Sequence, residues 1–340
     1  MQSTRFALML CAMLLAAFAL PATAWNRSPA TQFAALPSGT AHPEGITADA
    51  GGNLYVANFD VSGNTSVGTI VVFDRSGRWL RTLQVDKGSA LLLGIAFNPV
   101  TGDLLVCDLG NQQVLKVDPQ SGASSVFAAI PGGSGGPNAL AFDAVGNVYI
   151  SDSFQATIWR APPAGGVPVA WVSDPLLGTK GVPPFGANGL AFNQAASALF
   201  VANTGDDTIV RIPLPGGPSG IPGTPEVFVN SINGADGLIV DAADNVWVAA
   251  NQADEIVVVA PNGRVIAKLG DFDGIDRQGA PVGLLFPASL VRIGDFIYVT
   301  NLSLDLRLFG APTVDSQWAA DIIRHTIARI HAKLPPVRGL

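Results

Sequence analysis

Residues Pro137–Asp152 read PNALAFDAVGNVYISD, and this stretch decides the fold. An apolar run from Ala139 to Phe142 meets the pair Gly146-Asn147, and a second apolar run follows from Val148 to Ser151. Two short apolar runs around a Gly-Asn pair read as strand, tight turn, strand, because glycine accepts the positive φ that such a turn demands. The pattern recurs. Its first strand returns as Pro43-Glu44-Gly45-Ile46-Thr47-Ala48-Asp49, as Leu93-Gly94-Ile95-Ala96-Phe97-Asn98 and as Ala187-Asn188-Gly189-Leu190-Ala191-Phe192-Asn193. Two further copies are Ala235-Asp236-Gly237-Leu238-Ile239-Val240-Asp241 and Pro287-Ala288-Ser289-Leu290-Val291. Counted from Glu44, successive copies lie 49, 45, 50, 48 and 52 residues apart.

A period of that length fits one four-stranded propeller blade, so the chain is expected to be an all-β, six-bladed β-propeller over residues 25–312. Third and fourth strands follow each hairpin, as in Thr69-Ile70-Val71-Val72-Phe73 and Ser125-Val126-Phe127-Ala128-Ala129. The sixth copy runs out of strands near Phe309, while Gln32-Phe33-Ala34-Ala35-Leu36 resembles a fourth strand. The N-terminal strand should therefore close the last blade and leave no open sheet edge. Residues 313–340 change period. Trp318, Ile322, Ile323, Ile327, Ile330 and Leu334 fall at helical spacing before Pro335-Pro336, which predicts a C-terminal helical tail capping the propeller.

Residues 1–24 have the form of a signal peptide, with Arg5, an apolar stretch from Phe6 to Leu20 and the cleavage site Ala22-Thr23-Ala24. Cleavage near Ala24/Trp25 implies a periplasmic or secreted protein. The apolar stretch, about 15 residues, is short for a membrane span, and no integral span is expected. Composition agrees with the repeat: only 13% of residues are charged, and 38 Gly and 25 Pro suit many short strands and turns. The formal charge of −7 excludes nucleic acid as a partner, since that surface rewards clustered Lys and Arg. Cys107 is the single cysteine after the signal and sits in an apolar strand, where a buried inert thiol is the plain reading.

Repetition separates scaffold from site. Asn58, Asp108, Asp152, Asn203, Asn251 and Asn301 end the second strand of every copy, so they should serve the blade by bonding turn backbone. The residue just before the small Gly, Ala or Ser of each first strand varies instead: Glu44, Leu93, Asn138, Asn188, Asp236 and Ala288. First strands line a propeller's channel, so two carboxylates and two amides should converge at one mouth. There they face either water or a hard divalent cation, which would remove the repulsion between the acids. Ca²⁺ is the first choice, with Mg²⁺ and Zn²⁺ behind it. His42, two residues before Glu44, could act there or serve as local structure. The acidic run Asp271–Asp276 lacks the register of an EF-hand loop.

At these residues the chain resembles the senescence-marker-protein/gluconolactonase (regucalcin-like) family of six-bladed propellers. The carriers are Glu44-Gly45, Asn188-Gly189 and Asp236-Gly237, with Asn138 at the place of a further asparagine. The resemblance implies one divalent metal held by Glu44, Asn188 and Asp236, a substrate contact at Asn138, and Asp236 as catalytic base. It implies a hydrolase acting on a small-molecule lactone or related ester; the signal-like segment makes that hydrolase an exported one, and a monomer is expected. Gly136 and Ala139 stand where the family commonly has Arg and Asp, and Lys180 and Arg277 are the loop cations that could replace the missing charge. The copies also resemble NHL repeats, which implies the alternative of a non-enzymatic binding propeller with a structural or absent channel metal.

Overall fold

The computed structural model describes residues 27–63, 65–310 and 314–334. The expected signal peptide lies outside these residues. Six four-stranded antiparallel sheets form the blades, and their inner strands touch in ring order from Pro43–Ala48 through Pro287–Ile293 and back. The chain is a six-bladed β-propeller.

The second strand of each blade is buried along nearly its whole length because neighbouring blades cover both its faces. Leu54–Asn58, Leu104–Asp108 and Val246–Ala250 therefore read as continuous apolar runs rather than as alternation. The turns before them have the expected backbone, with Gly52, Gly102 and Asp244 all at positive φ.

The Gly/Ala/Ser column of the inner strands has a steric cause. A Cβ on Gly189 would stand 2.6 Å from the Asp236 carbonyl oxygen, and one on Gly237 would stand 2.6 Å from that of Ala288. Adjacent inner strands approach here more closely than larger side chains permit, and the channel narrows. Residues after the column line one mouth, an open cup of about 440 Å³ that includes Thr47, Ala96, Phe142 and Ile239. Residues before the column face the other mouth.

Blade six closes as expected at its outer edge. Thr31–Ala35 pairs antiparallel with Thr326–His331, with Thr31 opposite Arg329 and Ala35 opposite Thr326. That partner corrects the reading of the tail. A helix does form, but only over Val314–Ala320, and Thr326–His331 is the third strand of blade six. Thr326, Ile327 and Ile330 are β-branched, and the strand fills a ladder slot between Phe296–Asn301 and the N-terminal strand. Burial decides the contest: Ile327 is fully buried, whereas Ile323 is 81% exposed. Helical spacing of isoleucines was real but lost to two sets of ladder hydrogen bonds.

Candidate metal centre

Glu44, Asn138, Asn188 and Asp236 come from four different blades and line one cavity. Each is at most 5% exposed. The cavity, which they share with an apolar wall, is about 30 Å³, room for one ion or for a water or two.

The two amides are oriented by a repeated device. The Ser153 hydroxyl donates its proton to the Ala187 carbonyl at 2.8 Å, so it can only accept from Asn138 Nδ2, at 3.1 Å. The Thr204 hydroxyl likewise donates to the Ala235 carbonyl at 2.8 Å and accepts from Asn188 Nδ2 at 2.9 Å. With the nitrogens held outward, the oxygens are turned to the opposite side. Asn138 Oδ1 is buried with no partner, as are Glu44 Oε2 and Asp236 Oδ1.

Asp236 has its own anchor. Asn251 Nδ2 donates to its Oδ2 at 2.9 Å, which leaves Oδ1 free. Asn251 belongs to the site and not to the scaffold set in which the repeat pattern placed it. In the other blades the strand-ending residues pair as Pro43 with Asn58, Leu92 with Asp108, Pro137 with Asp152, Ala187 with Asn203 and Pro287 with Asn301. In blade five Ala235 pairs with Ala250. Asn251 thus stands one position further, where Ser153 and Thr204 stand in blades three and four. Counting five residues from the turn asparagines Asn147 and Asn245 would have exposed the shift. The scaffold role holds elsewhere: Asp152 accepts from the backbone of Gly136 at 2.8 Å, and Asn203 donates to the Leu176 and Gly178 carbonyls.

Burial raises both acids. Glu44 is pushed well above its ordinary value by burial and then by the charge on Asp236. Asp236 is pushed up by burial, to about 7, although the amides of Asn251 and Asn188 and the Gly237 N–H pull it back. Among the described residues no Lys, Arg, His or Cys lines the cavity. Two acids without a cation, together with three partnerless oxygens, fit a hard divalent ion better than water, which would have to donate to all of them.

The remaining wall is apolar, made by Phe59, Leu93, Pro183, Phe185, Phe286, Leu302 and Leu304. His42 does not line the site. Its Nδ1–H donates to the Leu302 carbonyl at 3.1 Å, and its ring packs 4.6 Å from that of His325, a second propeller histidine that the tail reading had put in a helix. Lys180 and Arg277 are exposed and lie outside the cavity. Asp271 and Asp276 bind no common centre: Asp271 pairs with Arg27 at 2.9 Å, and Asp276 accepts from the backbone of Gln278 and Ala280.

Residues 185–270 match the family described as SMP-30/Gluconolactonase/LRE-like region. That segment contains Asn188, Asp236 and Asn251. Three solved structures share the fold. A luciferin-regenerating enzyme aligns at 16% identity over 88% of this chain and 94% of its own, with a TM-score of 0.62. A gluconolactonase from Xanthomonas campestris aligns at 15% identity over 82% and 87%, with a TM-score of 0.58. The calcium-binding protein regucalcin from Agrobacterium tumefaciens aligns at 17% identity over 91% and 99%, also with a TM-score of 0.58. No curated protein sequence matches the chain. The resemblance to the gluconolactonase-type propellers, read first from three short motifs, is borne out by the family match and the shared fold. Among the described residues no helix is long and apolar enough to cross a membrane.

Proposed function

We propose that this chain is an exported hydrolase of lactones or related esters that depends on one divalent cation, Ca²⁺ first. The observation that carries the reading is the meeting of two buried carboxylates and two oriented amides around a space of ion size. Glu44, Asn188 and Asp236 would hold the ion, with Asn138 beside them. Bound there, a divalent cation supplies Lewis-acid polarisation of a carbonyl and positive charge against a developing oxyanion.

The chain's own residues supply the rest. Asp236, anchored on one oxygen by Asn251, presents the other to the cavity and takes a proton from water as that water adds to the ester carbonyl. The proton then passes to the departing alkoxide as the carbonyl carbon–oxygen bond breaks. One water is consumed and one hydroxy acid leaves. Asn138, fixed through Ser153, is placed to steady the substrate's position. Export is supported by the signal-like residues 1–24.

Metal content of the purified mature protein, followed by a lactone panel assayed with wild type and Asp236→Asn, tests the reading. We expect one equivalent of a divalent ion and a fall in kcat of about 100-fold or more in the variant. Hydrolysis that survives both chelation and Asp236→Asn would sink it.

A further inference from the structure

We infer that the substrate of this site carries an apolar alkyl or aryl substituent and is not a polyhydroxylated sugar lactone. The inference names the substrate class for the hydrolase proposed above and rests on that reading.

It follows first from what surrounds the polar centre. The polar groups of Glu44, Asn138, Asn188, Asp236, Asn251 and Thr204 cluster at the ion-sized centre, and the rest of the lining is Phe59, Leu93, Pro183, Phe185, Phe286, Leu302 and Leu304. Hydroxyl groups on a substrate ring beyond that centre would meet phenyl and leucyl walls, and a buried polar group without a partner is costly.

The apolar wall continues outward through ring contacts. Phe185, which lines the cavity, packs against Phe154 with ring centroids 5.5 Å apart and against Phe309 at 6.0 Å. Phe154 lies over Gly136, where a Cβ would stand 2.7 Å from its ring, so only glycine leaves the ring this place. Phe154 is 51% exposed and carries the apolar surface from the buried centre to solvent. The central space of about 30 Å³ suits a cation alone, so a lactone ring enters only as the rim side chains part. An apolar substituent restores the contacts those side chains give up; a hydroxylated one does not.

The test uses the mature chain in CaCl₂ and a series of γ-lactones with lengthening alkyl groups, beside glucono-δ-lactone. We expect kcat/KM to rise about 4-fold per methylene until the wall is filled, the ratio given by ~0.8 kcal/mol per buried CH₂. Phe185→Ser should flatten that rise while the Ca²⁺-dependent thermal shift persists. Alkyl lactams, which the reaction does not open, give binding alone by calorimetry. If no lactone is cleaved but lactam affinity still climbs with chain length, the hydrolase reading falls and the apolar class stands. Equal or better turnover of glucono-δ-lactone overturns the inference, and so does lactam binding that ignores chain length.

Discussion

Replacing Glu44 by glutamine should stabilise the metal-free protein and destabilise the metal-loaded one relative to wild type. Glu44 and Asp236 are both buried, and burial together with Asp236's charge holds Glu44 high. Asp236 rises from 3.8 to about 7. At ~1.36 kcal/mol per unit, that rise corresponds to about 4 kcal/mol of folding free energy lost once Asp236 is ionised. Glutamine keeps the shape and removes one of the two ionisable groups, so metal-free Glu44→Gln should melt above wild type by a few degrees at pH 8, where Asp236 is ionised. Because the folded pKa lies above the unfolded one, the folded protein binds protons more tightly. Asp236's contribution to stability is therefore greatest below about pH 4 and falls as pH rises through about 7, and Glu44, raised in the same direction, adds a loss of the same sign. Metal-free wild type should melt higher at pH 5.5 than at pH 8, and Glu44→Gln should narrow that gap. Added Ca²⁺ at 100 times its Kd stabilises wild type by about 2.7 kcal/mol, and the variant by less. Thermal unfolding of both proteins followed by circular dichroism in EDTA or CaCl₂ at both pH values reads these differences. A variant that melts lower than wild type in EDTA at pH 8, yet shows an undiminished Ca²⁺ shift, would refute the shared centre.

Ser153→Ala and Thr204→Ala free the amides of Asn138 and Asn188 to turn. Each should lower Ca²⁺ affinity by about 10-fold or more in calorimetry and, by leaving a buried carbonyl and amide unpartnered, cost the metal-free protein about 1–3 kcal/mol. Gly189→Val drives side-chain atoms against the Asp236 carbonyl and should cost on the order of 1–3 kcal/mol or prevent folding, seen as lowered melting temperature or insoluble protein. Removing residues 25–36 strips Thr31–Ala35 from blade six and exposes the edge of Thr326–His331. Lower melting and association visible by light scattering should follow.

The ring was legible because each blade repeats its own turn chemistry, and the four converging donors because they vary where the scaffold does not. What escaped came from breaks in that regularity. The third strand of blade six is separated from Asn301 by an insertion carrying its own short helix, so Thr326–His331 read as part of a helical tail. Asn251 reads as a scaffold residue because asparagine or aspartate ends each of the other five second strands, and only the pairing of Ala235 with Ala250 shows it displaced by one. Phe185, Leu302 and Leu304 carry no chemical flag. They reach the cavity from loops remote in sequence, and nothing but tertiary folding brings them there.

The latch strand Thr31–Ala35 and the first carboxylate, Glu44, sit on one short length of chain. The latch meets a partner nearly three hundred positions downstream, so the hoop can be fastened only after the whole polypeptide is available. Until then the blade that carries Glu44 has no closed sixth neighbour, and the cavity shared by Glu44 and Asp236 is incomplete. If the proposed cation binds there, its uptake would report that the last blade has been sewn shut.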